Sequence, residues 1–437
     1  MSDLLTISQA AIEICAGRLR PLELVEQCLA RIRAHNDRLH VWVEVDEVAA
    51  LHEAEILGRQ AASGNCRGPL HGIPVGIKDI IDVAGLPTRA GSPLRADHRA
   101  TADAPLVAAL RRAGAIILGK TVTVEFACFD PSPTRNPWDP ALQHTPGGSS
   151  SGSAVAVATG MCLGALGTQT GGSLVRPASY CGIATCKPTF GLLSRKGIVP
   201  VSHSLDHPGP MARSVGDLAV MLRCLVGEGQ WIEAESVLLP SRIGLLTGFF
   251  VDEADSAIRA ATEAAVQRLR AAGAEIEPIV TPEGFQQVRA MHRRIMAVEA
   301  AAYHREQFAA HREAYGPMIA ALLDEGPTIS AADYAAALRW QRQFGREVDA
   351  MFDGVEVLLC PSTDTTAPAT LSTTGTPKFQ APWTCAGVPV VSIPCALAAD
   401  GMPAAIQLVA RRHRDAALLR VAEWCERQLA FDKRPAL

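Results

Sequence analysis

The chain has 437 residues, 48% of them hydrophobic and 20% charged, which fits a globular protein with a large core in one α/β domain or two to three smaller ones. A net charge of −4, with both signs mixed along the chain, excludes a dedicated nucleic-acid surface, and 5% aromatic content leaves little for stacking on bases. The twelve cysteines are scattered without a CxxC pair, and no basic stretch followed by an apolar core opens the chain. Free buried thiols in a reducing cytoplasm, with no signal peptide, are therefore expected.

Helices are expected at Ile7–Ala16, from Pro21 to Ile32, and over Asp46–Ala62 with Asp46 as cap, around a short strand Val41–Val43. Strand and helix then alternate. Ile73–Ile77 is short and apolar, Ala104–Ala113 is helical, Ala115–Leu118 is apolar, Ala154–Ala158 suits a helix and Leu163–Leu166 a buried strand. Farther on come a strand at Ile243–Leu246, an amphipathic helix at Asp255–Ala272 and a strand at Ala274–Ile279. Residues 282–351 read as a helical segment. Strands return within 355–409 at Val355–Leu359, Val388–Ile393 and Ala405–Val409, and Asp415–Gln428 closes as a helix. This alternation points to an α/β sheet with helices on both faces. With no low-complexity linker and no repeat, residues 1–437 read as one domain whose sheet the C-terminal strands complete.

From Thr145 to Val175 no residue is charged. The stretch could span a bilayer by length, but its Gly, Ser, Thr, Pro and Gln content makes that costly, so no membrane contact is expected. It contains Gly147-Gly148-Ser149 and Gly171-Gly172-Ser173. Buried hydroxyls need partners, and glycine turns leave backbone N–H groups facing a cavity. A serine on such a turn is a place for a nucleophile with an oxyanion site beside it. Neither turn has the spacing of a phosphate-binding loop. Upstream, Lys78 ends the strand of His71-Gly72-Ile73-Pro74-Val75-Gly76-Ile77-Lys78-Asp79. Buried there, a lysine is either pushed toward neutrality, and so able to act as a general base, or paired with Asp79 or Asp82.

HGIPVGIKD, PGGSSSGSAVAVATG, GTQTGGS, RPASYCG and KPTFGLLSRKG, in this order within residues 71–215, resemble the amidase signature family. SLDHPGPMARSVGD, VPVVSIP and AAIQLVAR extend the resemblance over most of the chain. It implies a single domain with a central mixed sheet, hydrolysis of linear amide C–N bonds through a Ser-cisSer-Lys triad, and no metal or organic cofactor. Carried over by motif, Ser173 is the nucleophile and Ser149, after a cis bond from Gly148, the bridging serine. Lys78 is the base. The N–H groups of Thr170, Gly171, Gly172 and Ser173 form the oxyanion hole, and Ser150 is a supporting hydroxyl near the substrate.

The third motif departs from the pattern GTDTGGSIR that much of the family shows: Gln169 stands for the usual Asp, Val175 for the usual Arg, and Arg176 follows one place later. The paired loss suggests a structural ion pair replaced by a neutral contact, and Gln169 is expected with Arg176 and Ser150 beside the substrate. In a helix starting at Ser173, position i+3 shares its face, so Arg176 is expected to point into the cavity, either to grip a substrate carboxylate or to pair with a protein carboxylate and shape the wall. The pattern GTQTGGSxxRPAxYCG is similar to that of malonamidases in the family, which implies a small carboxylated, malonamate-like amide as substrate. The alternatives are the amidase subunit of a glutamine-dependent transamidating complex, an amidase for carboxylated urea derivatives, and a silent scaffold, which three intact triad positions argue against. A small-molecule amide is the expected partner, with a homodimer left open. His203 and His207 have a metal-like spacing without a third ligand. The far pocket wall is expected from the C-terminal half, around Thr363 and Trp383.

Overall fold

In the computed structural model, which describes residues 4–227, 231, 239 and 241–437, eleven strands make one sheet. In chain order they are β1 (Trp42–Val45), β2 (Pro74–Lys78), β3 (Ile116–Thr121), β4 (Gly164–Gln169), β5 (Ala184–Lys187), β6 (His207–Ala212), β7 (Arg242–Thr247), β8 (Glu275–Val280), β9 (Val357–Pro361), β10 (Val390–Leu397) and β11 (Pro403–Val409). Their spatial order is β1-β3-β2-β4-β6-β5-β10-β11-β9-β7-β8. Strand β2 runs parallel to β3 and β4 at one end, and β7 runs parallel to β8 and β9 at the other. The pairs between β4 and β9 are antiparallel, so the sheet is mixed. Every residue of β2, β3, β4, β5, β6, β9 and β11 is buried. Side chains alternate across a strand, so complete burial means that both faces are covered.

The C-terminal strands β10, β11 and β9 lie inside the sheet, between β5 and β7. The expected elements recur with shifted ends: the helix opened by Pro21 runs on to Leu39, and Asp46 caps Glu47–Ala62 by accepting the Ala49 N–H. The helical segment resolves into Gly284–His311, Pro317–Glu325 and Ala331–Ala350. Strands β5 and β6 were not expected. Strand β6 carries Pro208 and Pro210 in a position flanked on both sides, by β4 and β5. Proline withdraws a ladder donor and ordinarily argues against an interior strand.

The cysteines bring one correction. Cys15 and Cys66 form a disulfide that ties the end of the helix Ile7–Cys15 to the segment after Glu47–Ala62. The other ten cysteines are free, and nine of them are buried. Among the described residues no helix is long and apolar enough to cross a membrane.

Candidate active site

Lys78 ends β2, where burial is complete, with β3 on one side and β4 on the other. Its Nζ lies 2.7 Å from Ser149 Oγ and 2.8 Å from Thr168 Oγ1. Asp79 is not its partner: that carboxylate faces Lys120 Nζ at 3.0 Å, and Lys120 also donates to the Pro87 carbonyl and Thr88 Oγ1. Burial therefore pulls the Lys78 ammonium down to about 7, an effect that Asp206 opposes. A second lysine, Lys187, is also buried and pulled to about 7, yet its Nζ donates to the Val388 carbonyl 2.5 Å away. What separates Lys78 from Lys187 is its neighbours, two hydroxyls able to exchange a proton where Lys187 has a carbonyl, and not the perturbed titration that both share.

The bond between Gly148 and Ser149 is cis. Ser150 then precedes the buried helix Ser151–Ala158, and its Oγ bonds not to the helix but to β4, 3.2 Å from both the carbonyl and the N–H of Thr168. Ser150 thus ties the helix start to β4 and, fully buried, does not line the pocket. A Cβ at Gly152 would stand 2.4 Å from the Val122 nitrogen and 2.5 Å from the Val41 carbonyl, so only glycine lets this helix approach β3 so closely.

Residues 170–173 leave the end of β4 and line the cavity that Ser149 also lines. The Ser173 carbonyl accepts the Ser150 N–H at 3.3 Å, which joins the two serine motifs. The N–H groups of Gly171, Gly172 and Ser173 have no protein acceptor among the described residues, so they are free to receive an oxyanion. Thr170 is held from both sides: its Oγ1 donates to Asp206 Oδ1 at 2.6 Å, and its carbonyl lies 2.8 Å from His292 Nε2. A carbonyl only accepts, so His292 carries its proton on Nε2, and burial keeps the ring neutral.

Gln169 does not reach the pocket. Its Oε1 accepts the N–H groups of Leu174 and Val175 at 3.0 and 3.1 Å, and its Nε2 donates to Thr384 Oγ1 at 3.1 Å. The side chain fixes the turn that presents Ser173, which corrects the expectation of a substrate contact, as does the bonding of the Ser150 hydroxyl to the Thr168 backbone. Arg176 does line the cavity, 5% exposed. Its guanidinium donates to the carbonyls of Gly375 (3.1 Å) and Gly148 (2.7 Å) and to Thr374 Oγ1 (3.1 Å). Those bonds occupy three of its five N–H groups, and Nε is buried without a partner. No protein carboxylate lies within ion-pair reach of it among the described residues, and burial lowers the guanidinium to about 10.

The cavity holds about 920 Å³. Its far wall comes from the helix Gly284–His311 (Phe285, Arg289, His292, Arg293) with Phe249 and the turn Thr374–Lys378. Neither Thr363 nor Trp383 belongs to it: Trp383 stacks on Phe250 in the core, 5.6 Å between ring centroids, and Thr363 bonds to the Thr365 carbonyl. His207 is buried with Nδ1 2.6 Å from the Leu205 carbonyl, and His203 is exposed. Among the described residues no three metal-ligating side chains cluster. Asp206 and His292 were missed. Asp206 stood in SLDH, where it could have been weighed, whereas nothing in an Ala-rich helix marks His292.

The Amidase family profile matches residues 23–419. The chain is 33% identical over 474 aligned residues to one subunit of the glutamyl-tRNA(Gln) amidotransferase of Chloroflexus aggregans, covering 97% of this chain and 96% of that protein. Among solved structures it resembles the peptide amidase of Stenotrophomonas maltophilia, with 30% identity, a TM-score of 0.86, and 99% and 98% coverage. It also resembles a chain of a vestigial protein complex related to an s-triazine catabolic enzyme, with 31% identity, a TM-score of 0.90, and 99% and 100% coverage.

Proposed function

The chain belongs to the amidase family, and from that premise we propose that it hydrolyses a primary carboxamide to a carboxylate and ammonia through an acyl-enzyme on Ser173. The observation that carries this is the Lys78 Nζ–Ser149 Oγ contact of 2.7 Å at the edge of the cavity that holds Ser173. As a neutral amine, Lys78 donates to Thr168 and accepts the Ser149 proton, while Ser149 accepts that of Ser173. Ser173 Oγ attacks the carbonyl carbon, and the resulting oxyanion takes the N–H groups of Thr170, Gly171, Gly172 and Ser173. The proton on Lys78 then returns through Ser149 to the leaving nitrogen as the C–N bond breaks and ammonia departs. Water cleaves the ester by the same relay.

For the substrate, the relatives favour the glutamine amide, with this chain as the amidase subunit of a transamidating complex. A small malonamate-like acid is the second reading, supported by the unspent Nε–H of Arg176 facing no protein carboxylate. Both place a carboxylate on the amide. Ammonia release by the purified chain from glutamine, malonamate and their uncharged analogues tests this. Faster turnover of glutamine supports the first reading. Malonamate preference that Arg176→Ala removes supports the second. Turnover of neither, with no labelling of Ser173 by a fluorophosphonate, sinks the amidase mechanism itself.

A further inference from the structure

A proton taken up by Lys78 puts a full positive charge on a side chain with no solvent exposure. An uncompensated buried charge is costly, so the relay needs a counter-charge that is present before the proton arrives. Asp79, next in the chain, is committed to Lys120. Asp206 is not so committed. It directly precedes β6, and because Gln169 pairs in register with His207, it stands opposite Thr170. Its Oδ1 accepts the Thr170 hydroxyl at 2.6 Å, and its Oδ2 accepts the N–H groups of Val201 and Ser202 at 2.9 and 3.0 Å. Burial pushes the Asp206 carboxyl above its ordinary range, and the three donors on it work against that push toward the ionised form. Thr168 and Thr170 are two residues apart, a step of about 7 Å along extended chain. Lys78 sits on the first hydroxyl and Asp206 on the second. Thr168, Thr170 and Asp206 line one small cavity of about 70 Å³, apart from the substrate pocket except at Thr170.

We propose that Asp206 is the positioning residue of the relay: its carboxylate holds Thr170 at the head of the nucleophile loop and faces the ammonium that forms on Lys78 during acylation. It takes no proton itself, since the one leaving Ser173 passes through Ser149 and ends on Lys78 Nζ. The inference rests on Lys78 being the base. The other groups around the pair are accounted for. Burial keeps the Cys128 thiol beside Lys78 protonated. Asp130 and Glu125 act on Cys128. Arg195 and His203 share the small cavity with Asp206, and neutral His292 holds the opposite side of Thr170.

The test is the pH dependence of ammonia release and of Ser173 labelling by a fluorophosphonate, in the full chain. Neutral Lys78 is the active form, so the wild-type rate falls as pH drops through the Lys78 titration near 7. Asp206 favours the charged form and so raises that midpoint. Asp206→Asn is expected to move the acidic limb down by about one pH unit and to lower the plateau rate on the order of tenfold. Asp206→Glu should bring the limb back. An unmoved limb in a variant with native melting behaviour overturns the proposal. Should Asp206→Asn not fold, Thr170→Val against Thr170→Ser gives the same answer. Loss of the hydroxyl donor lets Asp206 become protonated, so the limb falls for Val and stays for Ser; equal limbs overturn the proposal. A limb that survives Lys78→Ala overturns the base reading and this one with it. A limb lost in Lys78→Ala but unmoved in Asp206→Asn overturns this one alone.

Discussion

The two walls of the cavity are built on different principles. The wall from residues 71–215 presents Ser149 and Arg176, backed by Lys78 and Gln169 from behind, all four buried, with hydroxyls, carbonyls and amides as their partners. The opposite wall carries charges that are partly solvated and paired with acids: Arg293 with Glu325 at 2.6 Å and Lys378 with Glu253 at 2.7 Å. Arg289 there is exposed. Buried polar groups in low dielectric are held to one geometry, whereas solvated ion pairs contribute little and exchange readily. The first wall is therefore suited to proton transfer and the second to choosing what enters.

Substitutions can break that division or sharpen it. The largest effect is expected for Ser173→Ala, with kcat/KM down by on the order of 10⁴-fold or more. Steady-state ammonia release with a folded variant is the check, and a modest loss would remove the first wall's claim to the chemistry. Lys78→Ala should cost on the order of 10³-fold and erase the fall in rate below neutral pH, since the group that burial brings to about 7 is gone. Gln169→Ala strips the acceptor from two buried N–H groups, and a loss of about 2–4 kcal/mol in urea unfolding is expected. A near-neutral result would show that the nucleophile turn is held by something else. The smallest effect belongs to the second wall: Arg289→Ala should change KM a few-fold at unchanged kcat. A large loss of kcat there would end the division between the walls.

The family motifs picked out Lys78, Ser149 and Ser173, which the fold brings to one place, and helical and apolar periodicity made most elements legible. What escaped did so for physical reasons. Strand β6 was hidden by two prolines that a flanked strand ordinarily refuses. Arg176 does enter the cavity, although its helix begins at Val175 and not at Ser173, and sequence alone could not say that the carbonyls of Gly148 and Gly375 would take three of its N–H groups together with Thr374. Gln169 was expected beside the substrate and is the support of a turn.

By itself the sequence determined which side chains could do chemistry and where turns had to be glycine, because local sterics and motif order are carried by neighbours along the chain. Tertiary structure decided which of those groups meet. Lys78 finds Ser149 and Thr168, Asp79 is taken by Lys120, and Asp206 comes opposite Thr170 through the pairing of β4 with β6. Those partnerships join residues far apart in the chain, and burial, which gives each its energetic weight, exists only once the sheet has closed around them.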